Sequence, residues 1–202
     1  MKYKTPPILI FFILIFLIAA FAACSSKKQS QVKLDPSKNP VNVIAVMPFE
    51  NKTKDDIAPS LLRAKIIDEL YFKGYTKLSP EMIDRRLEEF NANSQKANIS
   101  GIEPQRLYEL VGADAVLYST LQKSEKPIGF FSAPVTVSVS CELRKSDSGE
   151  VIWRANHTAK SRNFAFTRKG REMKSCRAYE EVMEEVVNKI METMPLGPNL
   201  RS

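Results

Sequence analysis

The sequence predicts an α/β fold in which helices pack against a mixed β-sheet. A β-branched run from Val41 to Met47, ended by Pro48, is typical of a buried strand. From Pro134 to Lys145 polar and apolar residues alternate, which indicates a strand with one buried face. Met173 to Met194 places apolar residues at helical spacing among glutamates, which indicates an amphipathic helix. Strands and helices therefore alternate along the chain, as in a layered fold.

The region after the first strand is predicted to form a loop and a helix. The loop covers Phe49 to Thr53, and the segment from Ala58 to Lys73 carries a helical apolar stripe. Gly74 follows at the place of a helix C-cap. The first strand therefore leads into the first helix.

A second strand and two further helices follow. Tyr75 to Leu78 is predicted to be a short strand, and Ser79 is suited to cap the helix that runs from Pro80 to about Phe90. Asn91 to Gly101 lacks periodicity and is predicted to be a loop. Pro104 to Val111 then forms a short helix.

The third strand is predicted from Ala113 to Lys123. Side chains alternate between the two faces of a strand, so Ala115 and Leu117 face opposite to Val116 and Tyr118. This strand begins the second half of the sheet.

A hairpin and the last helix complete the domain. The alternating strand from Pro134 to Lys145 is followed by the turn Ser146 to Glu150 and by a strand from Val151 to Phe166. The helix from Met173 to Met194 either packs on this sheet or is offered to a partner. The predicted order is β-α-β-α-α-β-β-β-α.

The N-terminus carries the pattern of a lipoprotein signal. Lys2 and Lys4 precede sixteen uncharged residues, Ile8 to Ala23, which end in small residues directly before Cys24. Cleavage leaves Cys24 as an N-terminus that can carry a diacylglycerol thioether and an N-acyl chain such as palmitate. The alternative, an uncleaved helix, spans only about 24 Å of a roughly 30 Å hydrocarbon core. By resemblance to the sorting rule of bacterial lipoproteins, Ser25 favours the outer membrane.

These patterns divide the chain into four parts. Residues 1–23 are predicted to be the signal peptide, 24–40 a polar flexible tether, 41–194 a single domain and 195–202 a C-terminal tail. The chain carries +7, and about +5 after loss of the signal peptide. Since an exported chain meets anionic lipid and polymers, we expect a membrane contact through the lipid and no nucleic acid.

The sequence predicts no metal site, no cofactor and no catalysis. It has no CxxC spacing and no glycine-rich phosphate loop, and His157 is its only histidine. That histidine shares a strand face with Trp153 and Ala155, so a partly covered residue is favoured over a general base. Cys141 is most simply a buried residue of a strand, and its pairing with Cys176 stays open.

Three ordered motifs resemble a known family. Val43 to Asn51, Gly112 to Tyr118 and Leu143 to Trp153 are similar to motifs of outer-membrane lipoproteins related to the N-terminal domain of TolB, a layout also found in CsgG and PelC. The resemblance covers Val41 to Ala165. It implies an anticodon-binding-like α/β domain used in periplasmic assembly, often as a homo-oligomer, without catalysis. The chain lacks the extended hairpins of a secretion channel, so we do not predict a pore.

Two segments are candidates for recognition. The loop Lys126 to Pro134 carries Ile128, Phe130 and Phe131 where a loop is normally polar, which indicates contact with protein or membrane unless the loop packs on its own sheet. The stretch from Arg154 to Arg177 is strongly basic and is either a solvated face or an anion-binding patch. The candidate anion-binding residues are Lys160, Arg162, Arg168, Lys169 and Arg171.

The sequence therefore predicts a lipid-anchored scaffold or accessory subunit of a cell-envelope assembly or export complex. It would face the periplasm from the outer membrane, with envelope proteins or further copies of itself as partners. The alternative is a periplasmic binding module for an anionic envelope polymer or lipid headgroup.

Overall fold

The computed structural model describes residues 34–35, 37–38, 40–93 and 104–201, in which strands and helices alternate. The strands are β1 (Ile44–Val46), β2 (Glu50–Asn51), β3 (Ala115–Glu125), β4 (Val135–Lys145) and β5 (Val151–Ser161). The helices are α1 (Ala58–Phe72), α2 (Pro80–Asn93), α3 (Pro104–Val111) and α4 (Arg168–Met191), and a 3₁₀ turn covers Pro198–Leu200.

The strands form an open mixed sheet in the order β1-β3-β4-β5. Both β1 and the short β2, which was predicted as loop, pair in parallel with successive parts of β3 along one edge. β3, β4 and β5 are antiparallel neighbours, and the β4–β5 turn uses Gly149 at φ 71°. The predicted fold class and the predicted hairpin are confirmed.

The two faces of the sheet are buried in different cores. Ala115 and Leu117 lie in the larger core with α1 and α4, whereas Val116 lies in the smaller core with α2 and α3, beside the half-buried Tyr118. This is the predicted alternation of β3. The apolar residues of α4 are also in the larger core, so this helix packs on the sheet. They are Tyr179, Val182, Met183, Val186, Val187, Ile190 and, just after the helix, Met194.

The segment from Tyr75 to Leu78 does not form the predicted strand. Only Thr76 pairs, through a single parallel bridge with Val43. The residues on both sides of this segment belong to the end of one helix and the start of the next. Gly74 at φ 87° closes α1, with the Tyr75 N–H donating to the Leu70 carbonyl at 3.0 Å, and Ser79 caps the next helix.

The boundary between β5 and α4 also differs from the prediction. The strand ends at Ser161 rather than Phe166, and the helix begins at Arg168 rather than Met173. Thr167 is the N-cap, because its hydroxyl accepts a hydrogen bond from the Gly170 N–H at 3.1 Å. The residues between Ser161 and Thr167 are therefore free to form part of the surface described below.

Residues near both ends of the chain pack against the domain. Leu34, within the predicted tether, is buried in the larger core. In the predicted C-terminal tail, the Gly197 N–H donates to the Lys73 carbonyl at 2.6 Å, and Leu200 lies against Gly74. Cys24 and the signal peptide lie outside the described residues, as does most of the loop predicted from Asn91 to Gly101.

The two cysteines of the described domain are both free thiols. Cys141 is buried in the larger core, as predicted for a strand residue, and Cys176 is exposed on α4. Burial raises the pKa of Cys141 to about 12, although the Ser119 hydroxyl lies 3.4 Å from its sulfur. The structure therefore contains no bond between these two cysteines.

Candidate contact surface

The loop between β3 and β4 joins the segment after β5 at one end of the sheet. Ser132 forms an antiparallel bridge with Phe164. The Ala133 N–H donates to the Asn163 carbonyl at 2.8 Å, and the Ala165 N–H donates to the Phe131 carbonyl at 3.2 Å. These hydrogen bonds hold the two segments as one structural unit.

This unit exposes five large apolar side chains, which we call the aromatic tip. They are Ile128, Phe130, Phe131, Phe164 and Phe166. The exposed fraction reaches 80% for Phe130 and 92% for Phe166. The Phe131 ring meets the Phe130 ring edge to face at 4.6 Å between centroids and the Phe166 ring at 6.4 Å. The predicted residues Ile128, Phe130 and Phe131 therefore do not fold back onto the core.

Sequence reasoning missed the contribution of Phe164 and Phe166. It assigned them to a strand, whereas the strand ends at Ser161. A local signal was present, because Arg162 and Asn163 interrupt the alternation that marks β5. The contact between Phe131 and Phe166 crosses two segments that lie far apart in the sequence, so no local pattern reveals it.

A buried carboxylate fixes the base of the loop. Asp55 precedes α1, and its side chain is only 10% exposed. Its carboxylate accepts hydrogen bonds from the Ser124 hydroxyl at 2.7 Å and from the Tyr179 hydroxyl, and Lys126 Nζ lies 3.2 Å away. Lys126 Nζ also lies 3.7 Å from the centroid of the Tyr179 ring. The first residue of the loop is thereby joined to α4 and to the start of α1.

The ionisation of this cluster follows from its contacts. Burial alone would raise the pKa of Asp55, but hydrogen bonds from Tyr179, Ser124, the Ala58 N–H and Lys126 hold it well below its usual value. Burial and the hydrogen bond to Asp55 raise the pKa of Tyr179 to about 12. At neutral pH Asp55 is therefore a carboxylate and Tyr179 a neutral phenol.

The candidate anion-binding residues lie on both sides of Phe164 and Phe166 in the sequence and differ in their partners. Arg168 pairs with Glu172 at 3.0 Å, and Arg171 Nη1 donates to the carbonyl oxygens of Ala165 at 3.1 Å and Phe166 at 3.3 Å. Three are exposed and make no ion pair within the described part of the chain. These three, which we call the free cations, are Lys160, Arg162 and Lys169.

The only histidine of the chain lies within β5. His157 is half-buried opposite Val139 of β4, as predicted for a partly covered residue of that strand. Within the described ranges, no three histidine, cysteine, aspartate or glutamate side chains are grouped as metal ligands. Within the same ranges, no helix combines the length and apolar character needed to cross a membrane.

Both sequence comparisons with known proteins find putative lipoproteins. A family model described as "Putative lipoprotein GNA1162-like" matches residues 33–195. The "Putative lipoprotein NMB1124/NMB1162" of Neisseria meningitidis serogroup B is 24% identical over 138 residues, which are 67% of this chain and 63% of that protein.

Two solved structures are similar. The crystal structure of lipoprotein GNA1162 from Neisseria meningitidis is 21% identical, with a TM-score of 0.52, covering 70% of this chain and 97% of that chain. A PelC dodecamer from Paraburkholderia phytofirmans is 18% identical, with a TM-score of 0.49, covering 77% of this chain and 88% of that chain. The first similarity supports the mixed α/β fold described above.

Proposed function

The chain belongs to the GNA1162-like lipoprotein family, and from this membership we propose that it is a lipid-anchored, noncatalytic accessory subunit of a cell-envelope complex. It faces the periplasm from the outer membrane and acts as a scaffold in assembly or export. The more specific relation to TolB and CsgG stays a prediction. The observation that carries the proposal is the aromatic tip, because an exposed apolar surface of this size is typical of a contact site for a partner protein or a membrane.

Cys24 is the proposed lipidation site, which gives a first test. Cys24→Ala removes the thiol that carries the diacylglycerol, so we expect unprocessed precursor to accumulate and mature protein to be lost from the outer membrane fraction. Gel mobility, membrane fractionation and mass spectrometry of the N-terminus measure this. Cys176→Ala, which removes an exposed thiol of α4, is the matched control and should be processed normally. Normal processing of Cys24→Ala would contradict the assignment.

The accessory role is tested by crosslinking in intact cells. With a lysine-reactive crosslinker, we expect discrete higher-mass species that contain either a second copy of this chain or a defined envelope protein. Cys24→Ala should reduce these species strongly, because the anchored location brings the partners together. A wild-type protein that stays monomeric at every crosslinker concentration would count against the scaffold.

A second candidate function rests on the free cations. Lys160, Arg162 and Lys169 are exposed and flank Phe164 and Phe166 in the sequence. In this alternative the domain binds an anionic envelope polymer or lipid headgroup through these cations. Co-purification of a monomer with such a polymer, lost as the salt concentration rises, would favour this function over the scaffold.

A further inference from the structure

We infer that the aromatic tip and the free cations together form a bilayer-contact surface, with the phenylalanine rings at the headgroup boundary and the cations at anionic headgroups. The inference rests on the proposed function, since it requires a chain located at a membrane. It goes further by naming the partner of the tip as a phospholipid surface rather than a protein.

The apolar part of the surface has the composition that an interfacial contact requires. Four of the five side chains are phenylalanine, and the most exposed of them, Phe130 and Phe166, are more than three-quarters accessible. Transfer of such a side chain out of water into an apolar environment is favourable. Several rings that enter together therefore supply a substantial driving force.

The charges around the rings have one predominant sign. No aspartate or glutamate occurs from residue 126 to 134 or from 151 to 171, and Glu172 is paired with Arg168. None of the free cations forms an ion pair within the described residues, and Glu125, which precedes the loop, is paired with Lys123 at 3.2 Å. Near an anionic membrane each exposed lysine or arginine adds electrostatic attraction. A predominantly cationic rim around an apolar centre matches an anionic lipid surface.

In the segment that bears Phe164 and Phe166, the backbone carbonyls are hydrogen-bonded and so suit a medium with little water. Lys174 Nζ donates to the Phe164 carbonyl at 2.8 Å, and Arg171 Nη1 donates to the carbonyls of Ala165 and Phe166. An unpaired carbonyl would oppose entry into the headgroup boundary, because it would lose its hydrogen bonds with water. All three carbonyls of the segment that bears Phe164 and Phe166 therefore have partners.

The tip is also ordered before it binds. The backbone hydrogen bonds between the two segments fix its outer part, and the Asp55 cluster fixes Lys126 at its base. Binding then requires little loss of conformational freedom.

The length of chain before the domain permits this contact. The tip lies at the end of β3 opposite to Ile44, which pairs with Ala115, and the 11 residues of β3 span about 36 Å. Ten residue steps separate Cys24 from the buried Leu34, and these reach up to about 33 Å when extended. This reach is close to the length of β3, so the chain length does not exclude a bilayer contact by the tip of a lipid-anchored protein.

A second exposed aromatic pair provides an internal comparison. Tyr71 and Phe72 meet edge to face at 5.9 Å near the end of α1, and Phe72 is 70% exposed. Phe72 is therefore as accessible as the tip residues. Yet this pair lies at the opposite end of the domain, where α1 also carries Asp68, paired with Lys77 at 3.0 Å. The different charge environment makes Phe72 a matched control position.

Depth-dependent fluorescence quenching tests the inference. The full chain carrying Phe130→Trp, and separately Phe72→Trp, is reconstituted into vesicles of phosphatidylethanolamine and phosphatidylglycerol with brominated acyl chains. The native Trp153 is buried, and the wild-type signal is subtracted. We expect the new tryptophan at position 130 to lose more than half of its emission and the one at position 72 to lose little. Equal quenching at both positions, or none at position 130, would overturn the inference.

Charge reversal provides a second measurement that keeps the rings in place. Arg162→Glu combined with Lys169→Glu, in the Phe130→Trp chain, should reduce quenching several-fold in phosphatidylglycerol vesicles. Unchanged quenching would refute the role of the cations.

The two proposals can fail separately. If the tryptophan at position 130 is not quenched while crosslinked protein complexes persist in cells, the bilayer contact is refuted and the accessory function stands. If the tryptophan at position 130 is quenched but no crosslinked complexes form in cells, the accessory function is refuted and the bilayer contact stands.

Discussion

Replacement of Trp153 by alanine is expected to lower the free energy of unfolding by about 3–5 kcal/mol. The side chain is 1% exposed, lies in the larger core, and faces Leu143 across the β4–β5 pair. Its indole N–H donates to the Thr193 hydroxyl at 3.2 Å, just beyond α4. Truncation therefore leaves a cavity where the sheet meets the helix and removes a hydrogen bond. Urea unfolding followed by circular dichroism measures the loss, because the variant lacks tryptophan fluorescence.

Phe130→Ala is the matched control for this substitution. It also removes an aromatic ring, but one that is mostly exposed, so we expect a change within about 0.5 kcal/mol. A loss below about 1 kcal/mol for Trp153→Ala would show that the core relaxes around the cavity. A large loss for Phe130→Ala would mean that the aromatic tip is part of the core rather than a contact surface.

Strands in which burial follows a period of two could be predicted from the sequence. In β4, Val135, Val137, Val139, Cys141 and Leu143 are all buried, as the alternation indicates. Local pattern determines these residues because β4 and β5 each have one face against α4. The cap of α2 at Ser79 and the end of α1 at Gly74 were also predictable, because caps are local hydrogen-bonding arrangements.

The elements that were missed depend on neighbours distant in the sequence. β2 has only two residues, and it exists because Glu50 and Asn51 lie beside Thr120 and Leu121 of β3. Tyr75 to Leu78 has strand composition, but the chain there is too short to pair beyond Thr76. In both cases the pairing edge of the sheet, rather than local propensity, decides the outcome.

The candidate surface was predicted in part for the same reason. Phe130 and Phe131 were identified because apolar residues in a short loop are unusual. The proximity of Phe131 to Phe166 required the tertiary fold. The Asp55 cluster was not predictable, since its carboxylate and the Tyr179 hydroxyl are separated by 124 residues.

Replacement of Asp55 by asparagine is expected to lower the free energy of unfolding at pH 7 by about 3 kcal/mol. The substitution keeps the shape of the side chain but removes the charge that Lys126, Ser124 and Tyr179 surround. Because Lys126 begins the loop that carries the aromatic tip, amide hydrogen exchange should also become faster from residue 126 to 134. Asp56→Asn, at the exposed neighbouring position, is the matched control and should change neither measurement.

The pH dependence of this destabilisation tests its electrostatic origin. The pKa of Asp55 lies below its usual value in the folded protein, so its stabilising effect is fully present above the unfolded value of about 3.9. As the pH falls below that value, the unfolded state binds a proton before the folded state does, and the stabilisation declines. The difference in unfolding free energy between wild type and Asp55→Asn should therefore be constant from pH 7 to 5 and shrink toward pH 3. A difference that does not change with pH would mean that Asp55 stabilises the fold through packing alone. The electrostatic role of the Asp55 cluster at the base of the loop would then be refuted.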